Sequence, residues 1–248
     1  MSRAARPLLL VGAGGFARET AEAVRAVNAM QPTWNLLGYL DEDPARHGEL
    51  VGGLPVLGPL ALVEDHADAQ LVLCSGRPGN YLSRPHIATR LALEDERYAT
   101  VVHPTATVGS TCRVGAGTVL LAHVDLTADV IVGRHVAVMP HAVLTHDVRV
   151  GDYATLAAGV RVAGACRLGE GCYIGSGACL RERIVVGDRA LVGMASLVTR
   201  DVPAERLWYG APARDVAHAP GAAVGGQATS RSIPEHLLSA ARSSREEP

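Results

Sequence analysis

The chain has 248 residues and a formal net charge of −2, which is enough length for two modest domains. It has no long basic run, so the charge pattern argues against nucleic-acid binding. No apolar stretch is long enough to span a membrane, and the first apolar run ends in glycines and charged residues instead of a cleavage site, so we expect a cytoplasmic protein.

The first hundred residues begin with a strand signal, a glycine turn and a helix signal. An apolar run at residues 7–11 precedes the glycine-rich turn at 12–15, and helical spacing follows over residues 20–28. A phosphate-binding cradle requires this order, because the glycines let backbone N–H groups approach a pyrophosphate at the positive end of the helix. The alternative is a turn that serves packing alone.

A second apolar segment, residues 36–40, ends at Asp41, where a doubly wound fold places its ribose-binding carboxylate. The glycine turn is not a full GxGxxG, because Ala17 stands at the third glycine position. About 100 residues suffice for only a half-sized unit. We therefore expect residues 1–100 to form a small Rossmann-like domain for a mononucleotide or nucleotide sugar, with the substrate-binding residues Gly12, Gly14, Gly15, Phe16 and Asp41.

From residue 102 to residue 203 the sequence repeats every six residues. The first residue of each of seventeen consecutive blocks is Val, Leu or Ile, the fifth is small or β-branched, and the second is often Gly. This period fits neither a helix nor a plain strand and is typical of a parallel β-helix, in which three blocks form one triangular coil. We expect the aliphatic side chains to fill the centre and the glycines to supply backbone freedom at the bends.

Because one coil takes eighteen residues, each residue lies over the residue eighteen positions before it. His146 therefore falls between two small residues, Ala128 and Gly164, and Asp147 follows it directly. A general base needs a neighbour that fixes its tautomer and open space for a substrate, and His146 has both.

The same arithmetic stacks His123 on His141, and His135 on Tyr153. His123 and His141 face outward at turns, which favours exposed histidines over a metal site that would still lack a third ligand. We therefore expect no metal site. Three of the five cysteines occupy the small inward position and are expected to be buried and unreactive: Cys112, Cys166 and Cys172.

The repeats end near residue 214, so the chain after residue 100 is divided into a β-helix and a C-terminal tail. We expect the β-helix to occupy residues 101–216. Residues 217–248 are rich in Ala, Gly, Ser and charge, apart from an apolar patch at Ile233, Leu237 and Leu238, and are expected to be disordered with at most one helical turn.

The repeats close with the sequence GAPAR at residues 210–214, which matches a G-x-P-A-[KR] ending. Hexads with this ending resemble the left-handed β-helix acyltransferases. The glycine turn and the sequence GYLD at residues 38–41 make the chain similar to the sialic-acid O-acetyltransferase and bacillosamine/perosamine N-acetyltransferase group. The resemblance covers about residues 7–215.

The resemblance implies a left-handed helix and a homotrimer, with acetyl-CoA as co-substrate between the helices of adjacent subunits. It implies that His146 is the catalytic base, with Asp147 beside it, and that the Gly164 N–H meets the thioester oxygen. It also assigns Ala163, Thr155 and Ser176 to cofactor binding. Several relatives carry a second histidine nine residues after the first, and this chain departs from them with Thr155.

We expect the chain to be an acyl-CoA-dependent acetyltransferase. The favoured reaction is direct acetyl transfer to the amino group of a nucleotide-linked amino sugar, with His146 as general base. The alternative is O-acylation of a sugar hydroxyl or of a small biosynthetic metabolite. A third hypothesis is a non-catalytic scaffold or a nucleotide-binding regulator, which would consume no CoA with any acceptor.

Overall fold

The structure, a computed structural model, describes residues 5–76 and 78–220. The N-terminal part contains five strands and two α-helices: β1 (Arg6–Val11), α1 (Gly15–Met30), β2 (Trp34–Leu40), β3 (Leu50–Val51), β4 (Leu54–Gly58), β5 (Gln70–Leu73) and α2 (Ser83–Leu91). Short 3₁₀ helices lie at Pro44–Arg46, Leu60–His66, Pro78–Asn80 and Asp95–Arg97.

The five strands form one sheet in the order β3-β4-β2-β1-β5. Strand β1 is parallel to β2 and β5, β2 is parallel to β4, and only the edge hairpin β3–β4 is antiparallel. The central strand is buried on both sides, since α1 covers one face of the sheet and the segment Leu60–His66 and α2 pack on the other. Parallel strands bring their carboxyl ends to one edge, so the glycine turn after β1 lies beside the residues that follow β2 and β5.

The predicted hexads form a parallel β-helix of seventeen two-residue strands. The second residue of every strand is the aliphatic first residue of a block, as predicted. The strands are β6 (Val101–Val102), β7 (Thr107–Val108), β8 (Arg113–Val114), β9 (Val119–Leu120), β10 (Asp125–Leu126), β11 (Ile131–Val132), β12 (Ala137–Val138), β13 (Val143–Leu144), β14 (Arg149–Val150), β15 (Thr155–Leu156), β16 (Arg161–Val162), β17 (Arg167–Leu168), β18 (Tyr173–Ile174), β19 (Cys179–Leu180), β20 (Val185–Val186), β21 (Leu191–Val192) and β22 (Leu197–Val198).

Strands eighteen residues apart pair in parallel and build three faces. Face 1 contains β6, β9, β12, β15, β18 and β21; face 2 contains β7, β10, β13, β16, β19 and β22; face 3 contains β8, β11, β14, β17 and β20. The inward side chains form one continuous apolar core from Leu120 onward. Val108, in the first coil, is 37% exposed, so the core is open to solvent at its N-terminal end.

A hairpin continues face 1 at the C-terminal end, with β23 (Arg206–Gly210) parallel to β21 and β24 (Ala213–His218) antiparallel to β23. Trp208 and Ala213 pack against the last coil of the core and cover it. Strand β24 extends two residues beyond the predicted boundary at 216. Residues 221–248, with Ile233, Leu237 and Leu238, lie outside the described residues.

The glycines at the second position of the hexads act through close approach, which corrects the expectation that they supply backbone freedom. A Cβ added at Gly109 would lie 2.0 Å from the Thr127 carbonyl oxygen, and one at Gly175 would lie 2.5 Å from the Met194 nitrogen. The left-handed residue of a turn is instead the fourth of its block, as at Asp147 with a φ of 62°. Glycine at the second position therefore lets successive coils stack.

The elements that precede β6, namely the five-stranded sheet with its helices, are called the N-terminal unit. This unit packs on face 1 of the β-helix. Helix α1 contacts β6, and the Tyr81 hydroxyl donates to the Arg189 carbonyl at 2.7 Å. Within the described ranges, neither α-helix combines the length and apolar character that crossing a membrane would require.

Candidate active site

His146 and Asp147 lie at the corner between faces 2 and 3, in the turn between β13 and β14. The His146 Nδ1 atom is 2.8 Å from Asp147 Oδ2, and about two-thirds of the histidine side chain is exposed. Strand β13 fixes the turn from one side, and the Asp147 N–H donates to the Ala128 carbonyl at 3.0 Å. The imidazole thus has one nitrogen beside a carboxylate and the other, Nε2, directed away from it.

Gly164 lies against the imidazole, where the spacing of eighteen residues predicts it. A Cβ added at Gly164 would lie 2.5 Å from both Cε1 and Nε2 of His146, so this approach is open only to glycine. The Gly164 carbonyl accepts from the Arg183 N–H at 2.9 Å, whereas its own N–H donates no hydrogen bond to another residue of the described chain. A histidine and an unpaired amide N–H therefore share one small space at this corner.

The other predicted cofactor-binding residues lie in three different places. Ala163 is next to Gly164 at the corner of His146. Ser176 is exposed at the corner between faces 1 and 2. Thr155 is 4% exposed on the outer side of face 1, where its hydroxyl accepts from Arg84 Nη2 at 2.7 Å. The structure therefore brings Thr155 to Arg84 and not to His146.

The predicted nucleotide-binding residues come together at the carboxyl edge of the N-terminal sheet. The Ala13 N–H donates to Asp41 Oδ2 at 3.0 Å, so the acid after β2 holds the glycine turn after β1. Asp41 also pairs with Arg46 at 3.3 Å. Gly12 has a φ of 99°, in the region that favours glycine.

Helix α1 begins at Gly15, and its N-terminus has no side-chain cap. Gly14 is its N-cap, and no side chain bonds the first-turn N–H groups. A Cβ added at Gly14 or Gly15 would meet no atom within 4 Å, and Phe16 beside them is half-buried. Free N–H groups at the positive end of a helix suit an anionic group such as a phosphate.

The two groups of residues lie on opposite sides of the β-helix within one chain. The unit with the glycine turn covers face 1, whereas His146 lies at the corner between faces 2 and 3. In a triangular coil, that corner is the one opposite face 1. The glycine turn and His146 of one chain are therefore separated by the β-helix.

The two predicted ring stacks, one of two histidines and one of a histidine with a tyrosine, are both present. The rings of His123 and His141 are 4.9 Å apart, with both side chains exposed, and those of His135 and Tyr153 are 5.1 Å apart. Across residues 5–76 and 78–220, no three His, Cys, Asp or Glu side chains are grouped as metal ligands.

Two of the three inward cysteines are fully buried, at Cys166 and Cys172, and Cys112 is half-buried. Burial raises the pKa of the Cys172 thiol to about 12, which keeps it protonated and unreactive at neutral pH.

The sequence did not reveal two buried polar residues between the N-terminal unit and face 1. Arg84 is 1% exposed and His135 is 2% exposed, and the His135 carbonyl accepts from Arg84 Nε at 3.0 Å. Burial, with the charges of Arg134 and Arg84, lowers the pKa of His135 to about 4, so its ring is neutral. Neither residue belongs to a motif, because their burial depends on how the two parts of the chain pack.

Comparisons with known proteins match both parts of the chain. The family model of the bacterial transferase hexapeptide matches residues 129–164, which include His146 and Gly164. The acetyltransferase domain of PglB from Neisseria gonorrhoeae is 27% identical, with a TM-score of 0.75 over 85% of this chain and 100% of that one. Its structure with acetyl coenzyme A gives a TM-score of 0.74 over 86% of this chain and 100% of that one, at 27% identity.

GDP-perosamine N-acetyltransferase from Caulobacter crescentus, as a histidine-to-alanine variant with CoA and GDP-perosamine, is 26% identical, with a TM-score of 0.75 over 85% of this chain and 97% of that one. The chain carries the bacterial transferase hexapeptide repeat and is similar over most of its length to acetyltransferases. Its three parallel sheets fit a left-handed β-helix. The β-helix alone is less than half of this hexapeptide-repeat chain, so a match over 85% includes the N-terminal unit. A search of curated protein sequences finds no match to this chain.

Proposed function

We propose that the chain is an acetyl-CoA-dependent N-acetyltransferase whose acceptor is a nucleotide-linked amino sugar. The observation that carries this proposal is the His146–Asp147 pair beside Gly164, whose N–H donates to no other residue of the described chain; all three residues lie in the part of the β-helix that the hexapeptide family model matches. The structural relatives that bind acetyl-CoA, or CoA with GDP-perosamine, support the two substrates.

His146 acts as the general base in this mechanism. Asp147 accepts the Nδ1–H of His146 and so fixes the tautomer in which Nε2 is free. Nε2 takes the proton of the sugar amine as its nitrogen bonds to the acetyl carbonyl carbon. The carbon–sulfur bond then breaks, and the CoA sulfur takes up a proton. Asp147 stabilises the imidazolium between these steps.

The Gly164 N–H stabilises the oxyanion that forms when the amine attacks. Gly164 lies at the Cε1–Nε2 end of the imidazole, and its N–H donates to no other residue within residues 5–76 and 78–220. A donor of this kind contributes about 3 kcal/mol to the transition state. Ala163, beside it, and Ser176 are assigned to CoA contacts, whereas Thr155 is left out because Arg84 holds its hydroxyl.

The N-terminal unit, residues 1–100, is the proposed Rossmann-like domain for the nucleotide part of the acceptor. Its parallel sheet presents Gly12, Gly14 and Gly15 at the start of α1, where the free N–H groups suit a diphosphate. Phe16 lies beside the turn, and Asp41 holds its shape. The acceptor is thus bound on face 1, and the acetyl group is transferred on the β-helix, residues 101–216.

A homotrimer completes the site. Because His146 lies opposite face 1, the acceptor held by one subunit receives its acetyl group at the His146 corner of the next. A heterologous contact of this kind closes into a ring when the rotation between neighbours allows it, and three subunits form the smallest heterologous ring. Acetyl-CoA then lies between adjacent β-helices.

The test is turnover with acetyl-CoA and a panel of acceptors, read by release of the free CoA thiol. GDP-perosamine and UDP- or dTDP-linked amino sugars are compared with their hydroxy analogues. We expect turnover with an amino sugar, and His146→Ala should lower kcat about 10²–10⁴-fold while CoA binding stays near normal. Turnover only with hydroxy analogues would favour O-acylation, and no CoA release with any acceptor would favour a scaffold or regulator.

A further inference from the structure

Arg84, in α2, is the one buried residue among the Asp, Glu, Lys and Arg of the described chain, with 1% exposure. Its guanidinium has no carboxylate partner within the described ranges. It donates instead to five neutral oxygens: Ser75 O (2.8 Å), His135 O (3.0 Å), Tyr153 O (2.6 Å), Ala154 O (3.1 Å) and Thr155 Oγ1 (2.7 Å). Burial lowers its pKa to about 10, so it is still a cation at neutral pH.

These acceptors belong to three separate backbone segments. Ser75 follows β5 in the N-terminal unit, His135 precedes β12, and residues 153–155 lead into β15 in the next coil of face 1. Burying a cation without an anion is costly, and an apolar side chain would fill the same space without that cost. The planar, forked donors instead fix the orientation of the segments relative to one another.

The segment that Arg84 holds in the N-terminal unit borders the glycine turn. A Cβ added at Gly12 would lie 3.0 Å from the Cys74 carbonyl oxygen, so residues 74–76 lie directly beside the turn. Gly76 has a φ of 135°, and a Cβ there would lie 2.5 Å from Arg84 Nη1. The Ser75 and Ser83 hydroxyls also bond at 2.7 Å. The guanidinium and the edge of the nucleotide site therefore form one tightly packed group.

We propose that Arg84 is a positioning residue for acetyl transfer: it fixes the carboxyl edge of the N-terminal sheet, with the bound acceptor, relative to the β-helix of its own chain, and the trimer contact then fixes both relative to the His146 corner of the next subunit. This inference rests on the proposed function. The amine and the thioester are held by different parts of the assembly, so their approach depends on the joint between these parts. A misplacement of about 1 Å at such a joint lowers the rate about 10²-fold although each ligand still binds.

The experiment compares Arg84→Met and Arg84→Lys with Arg113→Met. Arg113 is an exposed arginine on face 3, outside both sites, and receives the same substitution. Thr155→Val removes one of the five acceptors and keeps the guanidinium with its other four bonds, so it is the milder variant and is expected to fold. The readouts are kcat with GDP-perosamine and acetyl-CoA, and the calorimetric affinities and stoichiometries for CoA alone and GDP alone.

For Arg84→Met we expect kcat to fall about 10²-fold per binding-competent site. The affinities for CoA and for GDP should stay within about threefold, because each ligand contacts only one part of the chain. Arg84→Lys should recover part of the loss, Thr155→Val should lower kcat by about three- to tenfold, and Arg113→Met should match the wild type.

A loss of kcat that only follows the binding stoichiometry would overturn the inference, since that result marks a purely structural role. Wild-type kcat in Thr155→Val and Arg84→Lys would overturn it as well, even if Arg84→Met does not fold. Failure of the proposed function is separate and is seen first: wild-type protein that transfers no acetyl group removes the basis of the inference before any variant is compared.

Discussion

Gly164→Ala tests the active-site geometry with a single methyl group. The added Cβ would lie 2.5 Å from Cε1 and Nε2 and 3.1 Å from Nδ1 of His146. Ordinary contacts between such atoms are about 3.5–4 Å, so the ring must move by about 1 Å. The imidazole is the exposed end of a flexible side chain, and the backbone of Gly164 needs no left-handed conformation. The fold should therefore tolerate the change within about 1 kcal/mol.

Activity should respond much more strongly than stability. Moving the ring breaks the 2.8 Å contact with Asp147 and displaces Nε2 from the substrate, which is expected to lower kcat about 10²-fold. The assay is thiol release from acetyl-CoA with GDP-perosamine, beside urea unfolding of the same sample. Gly79→Ala is the control, because a Cβ there meets no atom within 4 Å, position 79 is exposed, and its backbone is not left-handed.

Two outcomes of this comparison would refute the reasoning. Wild-type kcat in Gly164→Ala would show that the ring position seen here is not the one used in catalysis. A stability loss of several kcal/mol with kcat unchanged per folded molecule would show that Gly164 serves coil stacking alone. The Gly79→Ala control separates these results from the general cost of a new methyl group on an unstrained glycine backbone.

Two further predictions concern the buried histidine and the assembly. The pKa of His135 is about 4 in the fold and near 6.5 in the unfolded chain, so the unfolded state takes up the proton first as the pH falls. Its contribution is present above pH 6.5 and is lost between pH 6.5 and 4, with a slope of up to about 1.4 kcal/mol per pH unit. Urea unfolding should show this slope weakened in His135→Phe; an equal slope would contradict it. Light scattering should give about 78 kDa, three chains of 25.9 kDa, and a stable monomer at assay concentration would argue against a shared active site.

Regular periodicity made the β-helix and its contacts predictable. Each coil has eighteen residues, so the His123–His141 and His135–Tyr153 stacks and the contact of His146 with Gly164 follow from numbering alone. The role of the second-position glycines did not follow, because it depends on the distance between coils.

Burial on face 1 could not be predicted from the same numbering. The outward residues of all three faces look alike in sequence, and only the packing of the N-terminal unit covers Thr155 and His135. The bonds from Arg84 to the β-helix join residues 51 to 71 positions apart in the chain, and no local motif records them.

The packing of the N-terminal unit on face 1 explains why this chain has Thr155 at the position where several enzymes that it resembles have a second histidine. Where several of them carry a second histidine, this chain places a hydroxyl that accepts from Arg84 Nη2 at 2.7 Å and is 4% exposed. An imidazole there would lie against a buried cation, which would oppose its protonation, and its bulk would compete with the guanidinium for the same space. A hydroxyl accepts the bond without adding charge. The threonine and the buried arginine are therefore one structural feature, and the proposed mechanism assigns no contact with the acetyl group to the side chain at position 155.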